Sequence, residues 1–192
     1  MNQLVPQDGA ERPVPAPLPP LEIELVHLFD KMKAVKAFVF DVDGVFTNND
    51  ILVSEAGELL RTMHVRDGQA VKWAIRAGYP VGIITGGRSE GVKKRFTDLG
   101  IEEYYSGIHD KWETLQAFLK RTNTLVSEVC YMGDDLPDLP VLRKVVLSCC
   151  PADAVPDVSD ICDYVSPLPG GRGCVREIIE KVMRLQDRWP EM

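Results

Sequence analysis

Asp41 and Asp43 stand two apart at the end of the apolar run Val35-Lys36-Ala37-Phe38-Val39-Phe40. In an extended segment both carboxylates therefore point to the same side, with Cα atoms roughly 6.6 Å apart. At an effective dielectric near 20, two negative charges at about that separation repel by about 2.5 kcal/mol. A positive partner is required. Thr85 and Gly86 close a second apolar run, Lys111 follows Asp110, and Asp134, Asp135 and Asp138 lie in Gly133-Asp134-Asp135-Leu136-Pro137-Asp138. All the candidate metal ligands are oxygens, which suits Mg²⁺ rather than zinc. The Lys111 ammonium can face a phosphate oxygen, and the Thr85 hydroxyl with the Gly86 N–H can donate to others. Taken singly, each has a plainer role: a turn at Asp43-Gly44, a cap at Asp135, a solvated charge at Lys111, a surface acid at Asp138. A shared location at one edge of a sheet would favour the chemical reading.

The pattern of elements supplies that location. Val35–Phe40 reads as a buried central strand. Ile51-Leu52-Val53 and Leu59-Leu60 flank a Gly-containing turn and predict a β-hairpin within residues 50–63. Residues 67–77 predict a helix with Asp67 as N-cap and Gly78 as its stop. Then come strand 80–85, a helix capped by Ser89 and ending near Gly100, strand 104–106 and a helix opened by Asp110. Strand 128–132, a short helix over 136–142, strand 145–149, a strand near Tyr164 and a helix over 174–188 complete the series. Strands alternating with helices over short connections imply an α/β, doubly wound (Rossmann-like) parallel sheet with helices on both faces. Ligands of such sheets bind beyond the carboxyl ends of the strands, where the polar residues named above fall.

Length and composition narrow the classes. The 192 residues, 45% of them hydrophobic, suit one α/β domain with a tail. The formal charge of -7 argues against a nucleic-acid surface, which needs clustered Lys and Arg. No stretch approaches a membrane span, and residues 1–20 lack the basic and apolar regions of a signal peptide. The five cysteines form no Cys-x-x-Cys pair, so small apolar filler roles and a reduced, cytoplasmic setting are expected. Residues 1–20, rich in proline, read as a disordered arm, and residues 21–33 as an amphipathic helix leading into a domain over 34–192.

Asp41-Val42-Asp43-Gly44-Val45-Phe46-Thr47 resembles the first motif of the haloacid dehalogenase superfamily of phosphatases. Ile83-Ile84-Thr85-Gly86 resembles its second, Lys111 its third, and Gly133 to Asp138 its fourth. The resemblance covers nearly everything from Val35 to Arg188. It implies that Asp41 attacks phosphorus and becomes an aspartyl phosphate, while Asp43 protonates the leaving oxygen and then takes a proton from the hydrolytic water. It further implies Mg²⁺ held by the side chains of Asp41 and Asp134 and the carbonyl of Asp43, a phosphoryl group cradled by Thr85 and Lys111, and support from Asp135 and Asp138.

Most members carry a cap domain, and this chain has room only for the hairpin. Met63-His64-Val65-Arg66-Asp67-Gly68 and Gly170-Gly171-Arg172-Gly173-Cys174-Val175-Arg176-Glu177 resemble signatures of the capless 3-deoxy-D-manno-octulosonate 8-phosphate (KDO 8-P) phosphatase family. That resemblance implies a small phosphorylated sugar-acid substrate in lipopolysaccharide precursor synthesis, and a substrate-binding stretch at residues 63–68. It also implies a flexible glycine-rich tail segment over 168–174 that reaches a neighbouring active site, in a homotetramer whose hairpins pack centrally. Independently, a substrate carboxylate among so many aspartates needs extra cations. Arg66, Arg95 and Arg88 are the candidates because a guanidinium matches a carboxylate with two parallel hydrogen bonds. For Arg88 and Arg95 solvation of a helix shared with Lys93 and Lys94 is the plainer role, and for His64 simple packing. Gly87 stands where the family commonly has Arg. Competing readings are a nonulosonate 9-phosphate phosphatase, a phosphatase-like domain joined to an acylneuraminate cytidylyltransferase, a receiver-like signalling domain and a catalytically dead module on this fold.

Overall fold

The computed structural model describes residues 21–190; the arm expected over residues 1–20 lies outside them. Helix α1 (Leu21–Ala34) leads into β1 (Ala37–Phe40), every residue of which is buried. Strand β1 sits inside a six-stranded parallel sheet with β4 (Val81–Thr85), β5 (Glu103–Ser106), β6 (Val129–Met132), β7 (Leu147–Cys150) and β8 (Tyr164–Val165). The order is β5-β4-β1-β6-β7-β8, with Phe40 paired to Ile83 on one side and to Met132 on the other. Successive side chains of a strand face opposite ways, so β1 serves two cores. Phe38 and Phe40 pack with Phe96, Ile178, Ile179 and Val182, whereas Ala37 and Val39 pack with Leu115, Phe118 and Tyr131. Both faces are therefore covered, by α2 (Val65–Arg76), α3 (Glu90–Leu99) and α7 (Cys174–Leu185) on one and by α4 (Lys111–Thr122) and α5 (Leu139–Leu142) on the other.

The chain runs outward from β1 through β4 to β5, then returns to β6 and runs outward the other way. The crevice between β1 and β6 is thus the topological switch point, where such sheets bind ligands. Asp41 and Asp134 emerge on its two sides.

Several expectations shift. Helix α2 begins at Val65 with His64 as N-cap, and His64 makes no side-chain cap bond. Asp67 is not the cap: it lies in the first turn, fully buried, and accepts the Arg176 N–H at 2.7 Å, so a tertiary bond takes the carboxylate that capping would have used. The expected helix over 136–142 divides into a 3₁₀ turn (Leu136–Asp138) and α5, and α6 (Pro156–Ser159) was not anticipated. Helix α7 stops at Leu185; the Gln186 amide instead bonds the Met32 and Val35 carbonyls at 2.9 Å each.

The glycine-rich segment over 168–174 is not a free tail. Gly170 N–H donates to Asp153 Oδ1 at 2.8 Å and Gly171 N–H to the Val45 carbonyl at 2.9 Å. A Cβ on Gly170 would sit 2.0 Å from the Gly44 carbonyl oxygen, so only glycine allows this approach to the loop after β1. The hairpin, β2 (Leu52–Val53) with β3 (Leu59–Leu60), forms as expected in antiparallel register. Its side chains stand in solvent: Leu52 is 68% exposed and Val53 64%, with Ile51, Leu59 and Leu60 all above 40%.

Candidate active site

Asp41 follows β1 directly, and its carboxylate is nearly buried. One oxygen accepts the Val42 N–H at 2.7 Å and the other meets Lys111 Nζ at 2.8 Å. Lys111 is the first residue of α4, where Asp110 caps the helix by accepting the Glu113 N–H at 2.9 Å. The cap fixes the turn that carries the buried ammonium inward. On its other side Lys111 reaches Asp138 Oδ1 at 2.7 Å.

Asp138 is saturated. Oδ1 accepts from Lys111 and from the Tyr131 hydroxyl, and Oδ2 from the Asp134 and Asp135 N–H groups. Those bonds account for the lone pairs of a carboxylate. Asp135 caps the 3₁₀ turn through the Leu136 N–H at 2.7 Å. Asp138 therefore holds both Lys111 and the loop, and Asp135 holds the loop.

Oxygens of Asp41, Asp134 and Asp138 lie within 4.8 Å of one another. Three carboxylates share one ammonium, and the shortfall in positive charge is visible in their acidities. Burial, reinforced by the Asp138 charge, pushes the Asp41 carboxyl up to about 7 even against Lys111. Burial likewise raises Asp134 to about 6, against a 2.8 Å hydrogen bond from Asn49 Nδ2. Burial alone would lower Lys111, but Asp41 and Asp138 outweigh it and hold the ammonium above its ordinary value. With Asp138 already saturated, Asp41 and Asp134 remain as two buried carboxylates whose charge Lys111, paired to Asp41 and shared with Asp138, does not balance. An all-oxygen, doubly anionic pair fits Mg²⁺.

The cleft above these groups encloses about 540 Å³ and is lined by Asp41, Asp43, Asn49, Thr85, Gly86, Gly87, His109, Lys111 and Asp134 among others. Thr85, at the end of β4, accepts the Gly87 N–H on its own hydroxyl oxygen at 3.1 Å, leaving the hydroxyl proton free for a ligand. Asp43 is gripped by Arg61, whose Nε meets Oδ1 at 2.7 Å and whose Nη2 meets Oδ2 at 3.1 Å.

Asp41, Asp43, Thr85, Gly86, Lys111, Asp134, Asp135 and Asp138 are thus brought to one cleft. His64, Val65, Arg66, Asp67 and Gly68 do not line it, nor do Arg88 and Arg95. Val65 and Arg66 are exposed, and His64 Nδ1 lies 3.9 Å from the buried Asp67. Gly68 packs beneath Arg95, whose guanidinium would meet an added Cβ at 2.6 Å. Arg95 faces a second hollow beside the hairpin, with Leu59, Leu60, Met63 and Val92, and Arg88 lies over Gly107. Arg61 and Asn49 went unnoticed in the sequence. An isolated arginine after two leucines carries no signal of a partner 18 residues earlier, and the sign at Asn49 was conformational: its φ of 66° suits asparagine better than most residues.

A family model for haloacid dehalogenase-like hydrolases matches residues 103–173. The chain is 36% identical over 165 residues to a 3-deoxy-D-manno-octulosonate 8-phosphate phosphatase of Salmonella typhi, covering 86% of this chain and 88% of that one. A crystal structure of the phosphatase of that name from Yersinia pestis superposes with a TM-score of 0.83 at 34% identity, over 84% of this chain and 88% of the other. The Moraxella catarrhalis phosphatase, in complex with magnesium ion, phosphate ion and KDO, superposes with a TM-score of 0.81 at 31% identity, over 83% and 92%.

Proposed function

The chain belongs to the 3-deoxy-D-manno-octulosonate 8-phosphate phosphatases of the haloacid dehalogenase-like hydrolases, and from that premise we propose that Asp41 is the nucleophile and Asp43 the acid and base of its reaction. The enzyme is a phosphoric monoester hydrolase that releases phosphate from KDO 8-phosphate, with Mg²⁺ as cofactor. The observation that carries the residue assignment is the convergence of Asp41, Asp134 and Lys111 at the β1/β6 crevice, with both carboxyls short of positive charge.

An oxygen of Asp41 attacks phosphorus as the bond to the sugar oxygen breaks. Asp43 gives its proton to that oxygen, then takes one from the water that hydrolyses the aspartyl phosphate. Lys111 neutralises charge beside Asp41 while Asp138 holds it there, and the free Thr85 hydroxyl proton meets a phosphoryl oxygen. The side chains of Asp41 and Asp134 and the Asp43 carbonyl would hold Mg²⁺, which would supply electrostatic stabilisation of the transferring group.

Arg66, Arg95 and the neighbouring residues 64–68 serve the cleft of another copy in a homotetramer. Two facts support this: they lie outside the chain's own cleft, and the hairpin exposes apolar side chains on an element too small to be stable alone. The cytoplasm is the proposed location, in keeping with cysteines that are all unbridged. Among the described residues no helix is long and apolar enough to cross a membrane. Turnover of a panel of eight- and nine-carbon sugar-acid phosphates, with and without chelator, tests the reading. A clear preference for the eight-carbon ester that chelator abolishes is expected; a nine-carbon preference, or turnover indifferent to chelator, overturns it.

A further inference from the structure

Asp43 stands at the cleft, yet its carboxylate is held by an arginine that belongs to the hairpin. Arg61 follows β3 immediately, its side chain is only 7% exposed, and its Nη1 also donates to the Leu59 carbonyl at 3.1 Å. A planar fork engaging both oxygens fixes direction as well as charge. The backbone at Gly87 makes room for it: an added Cβ there would lie 3.1 Å from Asp43 Oδ2 and 3.3 Å from Arg61 Nη2. The two arms of the fork are unequal, 2.7 Å at Oδ1 and 3.1 Å at Oδ2.

We propose that Arg61 is the positioning residue for Asp43, with the Nε–Oδ1 contact as a pivot and the longer Nη2–Oδ2 contact giving way so that Oδ2 exchanges the proton with the leaving group. This rests on the acid–base role assigned to Asp43 above. In the first step the Asp41 oxygen–phosphorus bond forms and the phosphorus–sugar oxygen bond breaks. The electron pair of the broken bond stays on the sugar oxygen, which takes the proton from Asp43. An acid aimed wrongly penalises this step only when the leaving oxygen needs the proton.

That condition sets the test. kcat/KM reports the steps through departure of the leaving group, so it is compared for KDO 8-phosphate, a poor alkoxide leaving group, and p-nitrophenyl phosphate, whose leaving anion needs no proton. Arg61→Ala should lower kcat/KM for the sugar phosphate by about 100-fold and for the aryl phosphate by less than about 3-fold. Arg61→Lys, which keeps the charge and loses the fork, should fall between Arg61→Ala and wild type on the sugar phosphate alone. Equal losses on both substrates would mark Arg61 as a merely structural support, and no loss on either would remove it from the mechanism; each overturns the inference. Asp43→Asn is the control. If Asp43→Asn discriminates between the substrates and neither Arg61 variant does, this inference fails while the assignment of Asp43 stands. If Asp43→Asn does not discriminate, both fail.

Discussion

The two sides of the cleft are built on opposite plans. Beneath it, Asp41, Lys111, Asp138 and Tyr131 form a buried network in which nearly every donor and acceptor is met from within one chain. Beside it, the hairpin and the start of α2 expose leucine, valine and arginine side chains. The chemistry of phosphate transfer is common to many substrates and is self-contained. On the proposed reading, recognition of one sugar acid falls to the surfaces that a single chain leaves open.

The contrast can be broken first at its buried side. Asp41→Asn should reduce phosphate release by at least about 10⁴-fold while circular dichroism and oligomeric state stay unchanged; turnover near the wild-type rate would remove the nucleophile. Lys111→Met should also cost stability, about 3–5 kcal/mol in urea unfolding, because it strands buried carboxylates without their cation. A loss below 1 kcal/mol would mean that the network is looser than its geometry.

On the open side the effects should be smaller and selective. Leu52→Asp combined with Leu60→Asp should dissociate the proposed homotetramer, as read by sedimentation, and lower sugar-phosphate turnover by about 100-fold while hydrolysis of p-nitrophenyl phosphate survives. Arg66→Ala should raise KM for the sugar phosphate by about 10- to 30-fold, with aryl phosphate kinetics unaltered. Equal damage to both substrates would erase the distinction between the two sides.

The finest effect is one of pH. Asp41 and Asp134 bind protons in the folded protein up to about 7 and about 6, whereas the unfolded chain releases them near the ordinary carboxyl value of 3.8. Between those limits the folded state holds more protons, so these groups make the metal-free protein lose stability as pH rises. Thermal melts in chelator should show Tm falling from pH 5 to pH 8, with a shallower fall in Asp134→Asn. Because Mg²⁺ competes with those protons, its addition should raise Tm more at pH 8 than at pH 5.

The same division explains what could be read from the sequence. That Asp41, Thr85, Lys111 and Asp134 share one cleft was legible because each sits near the end of a strand or the start of a helix, and strand periodicity places such positions. Asp67 was misread because its bond to Arg176 is made across more than 100 residues, and local pattern favours a cap there. Arg61 carries no local sign of its role either, because its partner Asp43 lies 18 residues earlier on another element. The glycines at 170 and 171 suggest a flexible tail, and nothing local in the sequence points to the loop after β1 on which they pack.

That packing bears on the order in which the molecule is made. The loop that follows β1 is read early by the ribosome, yet its Val45 carbonyl awaits Gly171 and Cys174, and the buried Asp67 awaits the amide of Arg176. A nascent chain truncated before Gly171 lacks these bonds, however much of the sheet it has formed. The loop next to Asp41 is therefore fastened only after all six strands of the sheet have been made, so a growing chain carries that aspartate for a time beside an untethered exit.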